Sequence, residues 1–282
     1  MTALIASRSD EIWEVLEAES IGALLPVSAL IEWTATKNSA FIFIYDSTEN
    51  FGLLTKEWHQ AGHSATPVVC LQTRSGAGSS IIGEILTRHK DNASVISAYT
   101  SPEGLLSMIQ TISYIPPSTS AARFVIQVPA VGTTGSTTAL APSTAPLLAA
   151  VNFLSTNFAI ILSSSPQEAS QLARLSYQVS DLHVIHVFDQ YGSAREFQDG
   201  SHHLNKQTDH AISFEDALLH NGIQAFDYTG DPEAEVVIVL LNGTYACLAK
   251  AFATQSKNFG VVSVRVLRPW DGEAFQIGRA HV

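Results

Sequence analysis

Ser39-Ala-Phe-Ile-Phe-Ile-Tyr45 carries no polar alternation, so a strand built from it has no face to turn toward water. A strand of that kind needs a parallel sheet covered on both sides by helices. Thr66-Pro-Val-Val-Cys-Leu71, Ala93-Ser-Val-Ile-Ser-Ala-Tyr99, Phe124-Val-Ile-Gln-Val128, Phe158-Ala-Ile-Ile-Leu162 and Leu182-His-Val-Ile-His-Val-Phe188 read the same way. Helix starts fall between them. Ser101-Pro102-Glu103 supplies an N-cap, a proline for the first helical position and an acid in the first turn. Leu105, Leu106, Met108, Ile109 and Ile112 follow at spacings of one helical face, until Pro116-Pro117 stops it. Ser163-Ser-Ser-Pro-Gln-Glu168 is a second capped start, with Ala169, Leu172, Ala173 and Leu175 facing inward. Strands alternating with helices predict an α/β fold with a doubly wound, mostly parallel sheet.

The uncharged 129–146 is expected as a long loop. The polar, histidine-bearing stretch 196–232 is expected as a linker after a first domain at 1–195. Beyond it Glu235–Leu241, a helix around Thr244–Thr254 and Gly260–Leu267 predict the start of a second βαβ domain over 233–276. A lone unit of this kind leaves strand edges and apolar faces uncovered, so the second domain is read as cut short. Ile277-Gly-Arg-Ala-His-Val282 matches one frame of a common sequencing adapter, and 277–282 is set aside as an artefact.

The chain has 282 residues, 46% of them hydrophobic, 15% charged, with a net charge of −11. That acidity, without a Lys/Arg cluster, excludes a phosphate backbone as partner. No apolar run approaches the ~18 residues of a membrane span, and the N-terminus lacks the basic start of a signal peptide. Cys70 and Cys247 sit in or beside apolar runs without a CxxC partner, and are expected as small buried hydrophobes. A cytoplasmic setting follows.

Gln72-Thr-Arg-Ser-Gly-Ala-Gly-Ser-Ser80 is the stretch most like a site. It lacks the GxGxxG spacing of a dinucleotide loop and reads as a tight turn before a helix over 79–88, its glycines supplying backbone freedom, with Arg74 able to hold an anion. No Gly-x-Ser-x-Gly elbow exists to present a nucleophile. His59 and His63, at i and i+4, have no acidic or cysteine partner at ligand spacing and are expected to face solvent. His202-His203 belong to a polar loop. His183 and His186 fall on opposite faces of one apolar strand and are expected as core histidines with backbone or helix-end partners.

Several stretches, in order, resemble pyruvate:ferredoxin oxidoreductase and its relatives: Ile44-Tyr-Asp-Ser-Thr48 with Lys56-Glu-Trp58, Thr100-Ser-Pro-Glu-Gly-Leu-Leu-Ser-Met-Ile109, Ser163–Glu168, His186-Val-Phe-Asp189 and Val264-Arg-Val-Leu-Arg-Pro-Trp270. The resemblance spans about residues 40–275 and implies a pyrimidine-type domain of a thiamine-diphosphate enzyme. In that family a glutamate meets the aminopyrimidine and drives the cofactor toward its imino form; Gly76 stands at the matching position. The arginine that clamps the substrate carboxylate aligns with Val131, removing the bidentate pair. Thr48 keeps the pocket threonine, in altered surroundings. The three positions form a degenerate thiamine site, and neither a catalytic residue nor a metal ligand is expected.

Fungal NADPH-dependent sulfite reductases begin with a region similar to this family, and Gly260-Val-Val-Ser-Val-Arg-Val-Leu-Arg-Pro-Trp-Asp-Gly-Glu-Ala-Phe275 resembles the hemoprotein (beta) subunit; "RSGAG" also occurs in relatives of the flavoprotein (alpha) subunit. The resemblance implies no cofactor in this chain. Siroheme, an iron–sulfur cluster and FMN in a flavodoxin-like domain are implied for the full-length parent, which reduces sulfite to sulfide. The implied partners are other domains of its own chain and the flavoprotein subunit. Two alternatives stand beside it: a working 2-oxoacid oxidoreductase using a carboxylate such as Glu84, and a free-standing interaction domain.

Overall fold

The computed structural model describes residues 8–18, 22–45, 50–73, 76–87, 94–118, 122–134, 139–141, 151–152, 157–200 and 211–280. Thr48, Arg74, Ser75, His202 and His203 lie outside them. Helix α1 (Ser9–Glu17) and the short strand β1 (Leu24–Pro26) precede α2 (Val27–Asn38), β2 (Phe41–Tyr45) and α3 (Leu53–Gln60). Then come β3 (Val68–Leu71), α4 (Ser79–Thr87), β4 (Ser94–Thr100), α5 (Pro102–Ile112) and β5 (Ala122–Ala130). Where a long loop is expected, β6 (Gly132–Thr134) and β7 (Ala139–Ala141) pair as an antiparallel ladder. Strand β8 (Phe158–Leu162), α6 (Pro166–Gln178) and β9 (His183–Asp189) follow.

These strands form one seven-stranded sheet of order β14-β8-β9-β5-β4-β2-β3, in which β14 (Val266–Arg268) alone runs antiparallel. Alternation within each strand divides the core, as the pleat requires. Phe43, Ile96, Ala98, Phe124 and Ile126 pack under Ile81 and Ile85 of α4 and Leu105, Met108 and Ile112 of α5. Ile42, Ile44, Val95, Val125 and Val184 pack under Val27 and Ile31 of α2 and Leu172 and Leu175 of α6. Leu106, expected on the inner face of α5, is exposed. It follows Leu105 by one residue, about 100° around the helix, and the buried stripe is Leu105, Met108 and Ile112.

The cap at Ser101 is as expected: its Oγ accepts from the Gly104 amide at 3.0 Å. Ser165 caps α6 in the same way, accepting from the Glu168 amide at 3.2 Å. Cys70 corrects the expectation of a buried thiol. Strand β3 closes the edge of the sheet, and Cys70 is exposed there. Cys247 is half-buried, and its Sγ–H reaches the Ser164 carbonyl at 3.1 Å.

The stretch 196–232 is not a bare linker. After α7 (Gln190–Ser193), β10 (Phe197–Asp199) pairs antiparallel with β1. Helix α8 (Phe214–His220) buries Phe214 and Ala217 against the main core, and β11 (Phe226–Gly230) enters a second sheet. That sheet has order β11-β13-β12, with β12 (Val236–Leu241) and β13 (Phe259–Val264) parallel around α9 (Thr244–Ala253), the expected βαβ unit, and β11 antiparallel to β13. The expected single strand 260–267 breaks at Arg265, after which β14 leaves for the main sheet. Helix α10 (Gly272–Ala280) follows, with Phe275 against Phe226 and Trp270.

Candidate functional site

In an open parallel sheet the crevice that binds ligands lies at the carboxyl ends of the strands where the winding direction reverses. Here the chain steps from β2 to β3 through α3, which packs on the α2 side, then returns past β2 to β4 through α4 on the opposite face. The reversal therefore falls between β2 and β4, whose last paired residues are Tyr45 and Thr100.

Around that end the structure gathers hydroxyls and two helix starts. The Tyr45 phenol lies against Ser80 and the Gly78 backbone, and burial pushes its pKa up. A Cβ on Gly104 would run into Thr100 Oγ1 and stand 3.2 Å from Thr73 Oγ1 and 3.4 Å from Ser101 Oγ, so only glycine lets the first turn of α5 sit this close to β3 and β4. Gly76 is exposed with φ +80°, and the nearest atom to an added Cβ is Ser79 Oγ at 3.7 Å. There is room for a side chain, but the left-handed backbone disfavours one. Val131, the third position, follows β5 and is buried. Glu84 is part-buried in α4, five residues past Ser79 and so about 7.5 Å along the axis from the helix start.

The Gly76 geometry yields a paired expectation. Gly76→Ala should cost about 1–2 kcal/mol for the left-handed φ. Gly83→Ala, in the interior of α4 with open space around it, should stabilise by about 0.5–1 kcal/mol. Urea midpoints of the two variants check both signs.

Sequence reasoning missed a second layer, buried on the α2 face of the same sheet. Glu32, on α2 and 2% exposed, accepts from the Thr55 amide at 2.7 Å and Thr55 Oγ1 at 2.9 Å. Thr55 Oγ1 in turn lies 3.2 Å from the Tyr99 hydroxyl. Ser97 Oγ links Ser39 Oγ at 2.6 Å to the Tyr177 hydroxyl at 3.0 Å; burial raises Tyr177 to about 12, with Gln127 also beside it. Gln127 Oε1 accepts from His186 Nδ1 at 2.7 Å, and Ser163 Oγ lies 2.6 Å from His186 Nε2. No apolar stripe betrays this layer, because α2 is buried on nearly every side from Val27 to Thr36.

Both strand histidines are core residues, as expected, but only His183 has the expected backbone partners, those of His186 being the Gln127 and Ser163 side chains. His183 Nδ1 accepts from the Phe124 amide at 3.1 Å, and Nε2 donates to the Pro116 carbonyl at 2.9 Å. Burial pushes His186 down to about 3, so the folded chain binds fewer protons than the unfolded one. Its contribution to stability is full above the ordinary histidine pKa near 6.5 and fades as pH falls toward 3. The His186 imidazole should keep its neutral NMR shifts from pH 8 to pH 5, where an ordinary histidine titrates.

The joint between the two sheets is a third polar cluster, centred on Glu168. Its Oε2 accepts from the Ser164 amide at 2.7 Å, Ser164 Oγ at 2.8 Å and Asn242 Nδ2 at 2.8 Å, and its Oε1 pairs with Arg265. Burial pushes the carboxyl up, but the Arg265 charge and the Ser164 bonds outweigh it and hold the pKa below the usual range. Thr244 Oγ1 donates to Asp189 Oδ2 at 3.0 Å, and Asn242 Nδ2 also reaches the Leu162 carbonyl at 2.8 Å. His63, past the end of α3, is exposed as expected, while stacking on Trp13 and lying 3.1 Å from Asp10 Oδ1; His59 is half-buried with its Nδ1 enclosed, a correction to its expected solvent-facing position. Among the described residues no group of three or more His, Cys, Asp or Glu could hold a metal ion, and no helix is long and apolar enough to cross a membrane.

No family model matches the sequence, and no curated protein matches it either. Solved structures do. The 2-oxoglutarate:ferredoxin oxidoreductase from Magnetococcus marinus, determined with 2-oxoglutarate, coenzyme A and succinyl-CoA bound, superposes with a TM-score of 0.59 at 10% identity. The match covers 92% of this chain and 56% of that one. The likeness is one of fold. It supports the expected α/β architecture with a mostly parallel sheet.

Proposed function

We propose that this chain is a noncatalytic scaffolding region built on a thiamine-enzyme fold, and that its parent is an assimilatory NADPH-dependent sulfite reductase, with the chain in the hemoprotein (beta) subunit. The observation that carries the reading is Gly76. The position that needs a carboxylate in a thiamine enzyme is a glycine with φ +80°, a backbone conformation suited to a turn and poorly suited to glutamate. Val131, where the substrate clamp would stand, is buried. In this reading the residues present do not fit thiamine diphosphate. Siroheme, an iron–sulfur cluster and FMN belong to other domains of the parent, which reduces sulfite to sulfide in the cytoplasm with its flavoprotein subunit. The Glu168 joint supports the scaffolding role, since it ties the βαβ unit to the main sheet through buried bonds that leave no carboxylate free for chemistry.

The likeness to a 2-oxoglutarate:ferredoxin oxidoreductase favours a second reading, a 2-oxoacid oxidoreductase in which Glu84 serves as the carboxylate. Its distance along α4 from the turn at Gly76 argues against it. Activity decides between them. The full-length parent, supplied with its flavoprotein partner and NADPH, is expected to reduce sulfite. It should leave pyruvate and 2-oxoglutarate unconsumed when thiamine diphosphate and magnesium are added, and viologen-dye reduction by either keto acid would overturn the proposal.

A further inference from the structure

Glu32 has no part in the reading above, yet it occupies the place where the chain returns from β2. The turn that starts α3 contains two left-handed residues, Asn50 at φ 61° and Gly52 at φ 94°, so its shape depends on being held. Phe51 is buried between them, 4.8 Å from the Tyr99 ring and 5.2 Å from Phe188. What holds the first turn of α3 is a side chain from another helix: the Glu32 carboxyl, bonded to the Gly52 and Thr55 backbone and to Thr55 Oγ1. A helix start satisfied from outside in this manner stands or falls with that partner.

We propose that Glu32 is a proton-operated latch on the turn at residues 50–55, holding it seated while the carboxyl is protonated and releasing it when the carboxyl ionises. Among the described residues the titratable groups that face Glu32 are Glu57 from α3, Tyr99 from β4 and, behind Tyr99, Tyr177 from α6. None of these three supplies a positive charge to stabilise an ionised carboxylate. Burial pushes Glu32 up to about 7, while the amide bonds from Thr55 and Gly52 pull the other way and do not offset it. A state in which the turn lifts lets water reach the carboxyl and restores its ordinary acidity. Seating the turn therefore takes up a proton between the ordinary carboxyl pKa of 4.5 and about 7, and lifting it is increasingly favoured as pH rises through that window.

Amide hydrogen exchange, corrected for the intrinsic rate, tests this on the whole chain. The Thr55 amide is expected to lose protection about tenfold per pH unit between roughly pH 5 and pH 6.5, the slope of a one-proton opening, to level off above about pH 7.5 where both states are ionised, and to show no such slope in Glu32→Gln, which keeps an acceptor but cannot ionise. Equal profiles in the two proteins would overturn the latch. So would Thr55 protection as high as that of Ile126 in the sheet centre and falling in step with it, since the proton would then belong to global unfolding. If Glu32→Gln does not fold, the wild-type comparison of Thr55 with Ile126 decides alone.

Discussion

Glu168→Ala should cost about 3 kcal/mol, the lower end of the loss expected when one member of a buried ion pair is removed, because Arg265 keeps the Gln224 carbonyl at 2.6 Å and Asp227 at 3.8 Å. The residues stranded are specific. Arg265, 14% exposed at its side chain, would keep its charge in a largely dry joint. The Ser164 amide and hydroxyl and one Asn242 bond would lose their acceptor. Replacing both members, Glu168→Met with Arg265→Met, should cost less than the single change, because no charge is left behind. The pH dependence has a definite sign. Glu168 is held below its ordinary pKa, so its contribution is present above about pH 4.5 and lost as pH falls through the folded value. Urea midpoints of the single and double variants at pH 7 and pH 4 check the order. A single variant as stable as wild type would mean that the joint is wet.

Trp58→Ala should be of similar size, about 3–5 kcal/mol. Trp58 is fully buried and meets two other indoles edge to face, Trp13 at 5.4 Å and Trp33 at 6.0 Å between ring centroids. Its Nε1–H donates to the Ser9 carbonyl at 2.9 Å, so it fastens α1 as well as filling space. The Lys37 ammonium lies over Trp13 at 4.7 Å and Trp33 at 4.5 Å, closing the far side of the cluster. Trp58→Phe keeps an aromatic edge and loses the bond to Ser9, and should retain more than half of the stability lost in the alanine variant. Thermal unfolding followed by tryptophan fluorescence reads both.

The main sheet was legible because its strands announce themselves. Runs such as Phe158–Leu162 are apolar on both sides, and Ser101-Pro102 and Ser165-Pro166 punctuate them with helix starts that the folded chain uses. The second sheet was half legible. β12 and β13 could be read, but β11 lies in Phe226-Asp-Tyr-Thr-Gly230, whose polar residues hide a strand that its neighbours leave only partly covered. The break at Arg265 was invisible in an unbroken β-like run, since it is made by a partner, Glu168, 97 residues away. Glu32 was missed for the opposite reason. A helix buried on nearly every side has no polar stripe against which a charged residue looks misplaced, and the donors to Glu32 come from Thr55 of α3, 23 residues away. At the crevice, the sequence singled out Gly76 and Val131, and the structure puts them after β3 and β5 at the carboxyl edge. Thr48 lies outside the described residues. The hydroxyl cluster of Tyr45, Thr73, Thr100 and Ser101 emerged only when the strands were placed side by side.

In the proposed function the chain is a thiamine-enzyme fold without the acid that cofactor needs, and titration calorimetry of the full-length parent with thiamine diphosphate and magnesium tests this most directly. No saturable heat is the expected result. Stoichiometric binding with a micromolar Kd would contradict the proposed loss of the pyrimidine's acceptor at Gly76.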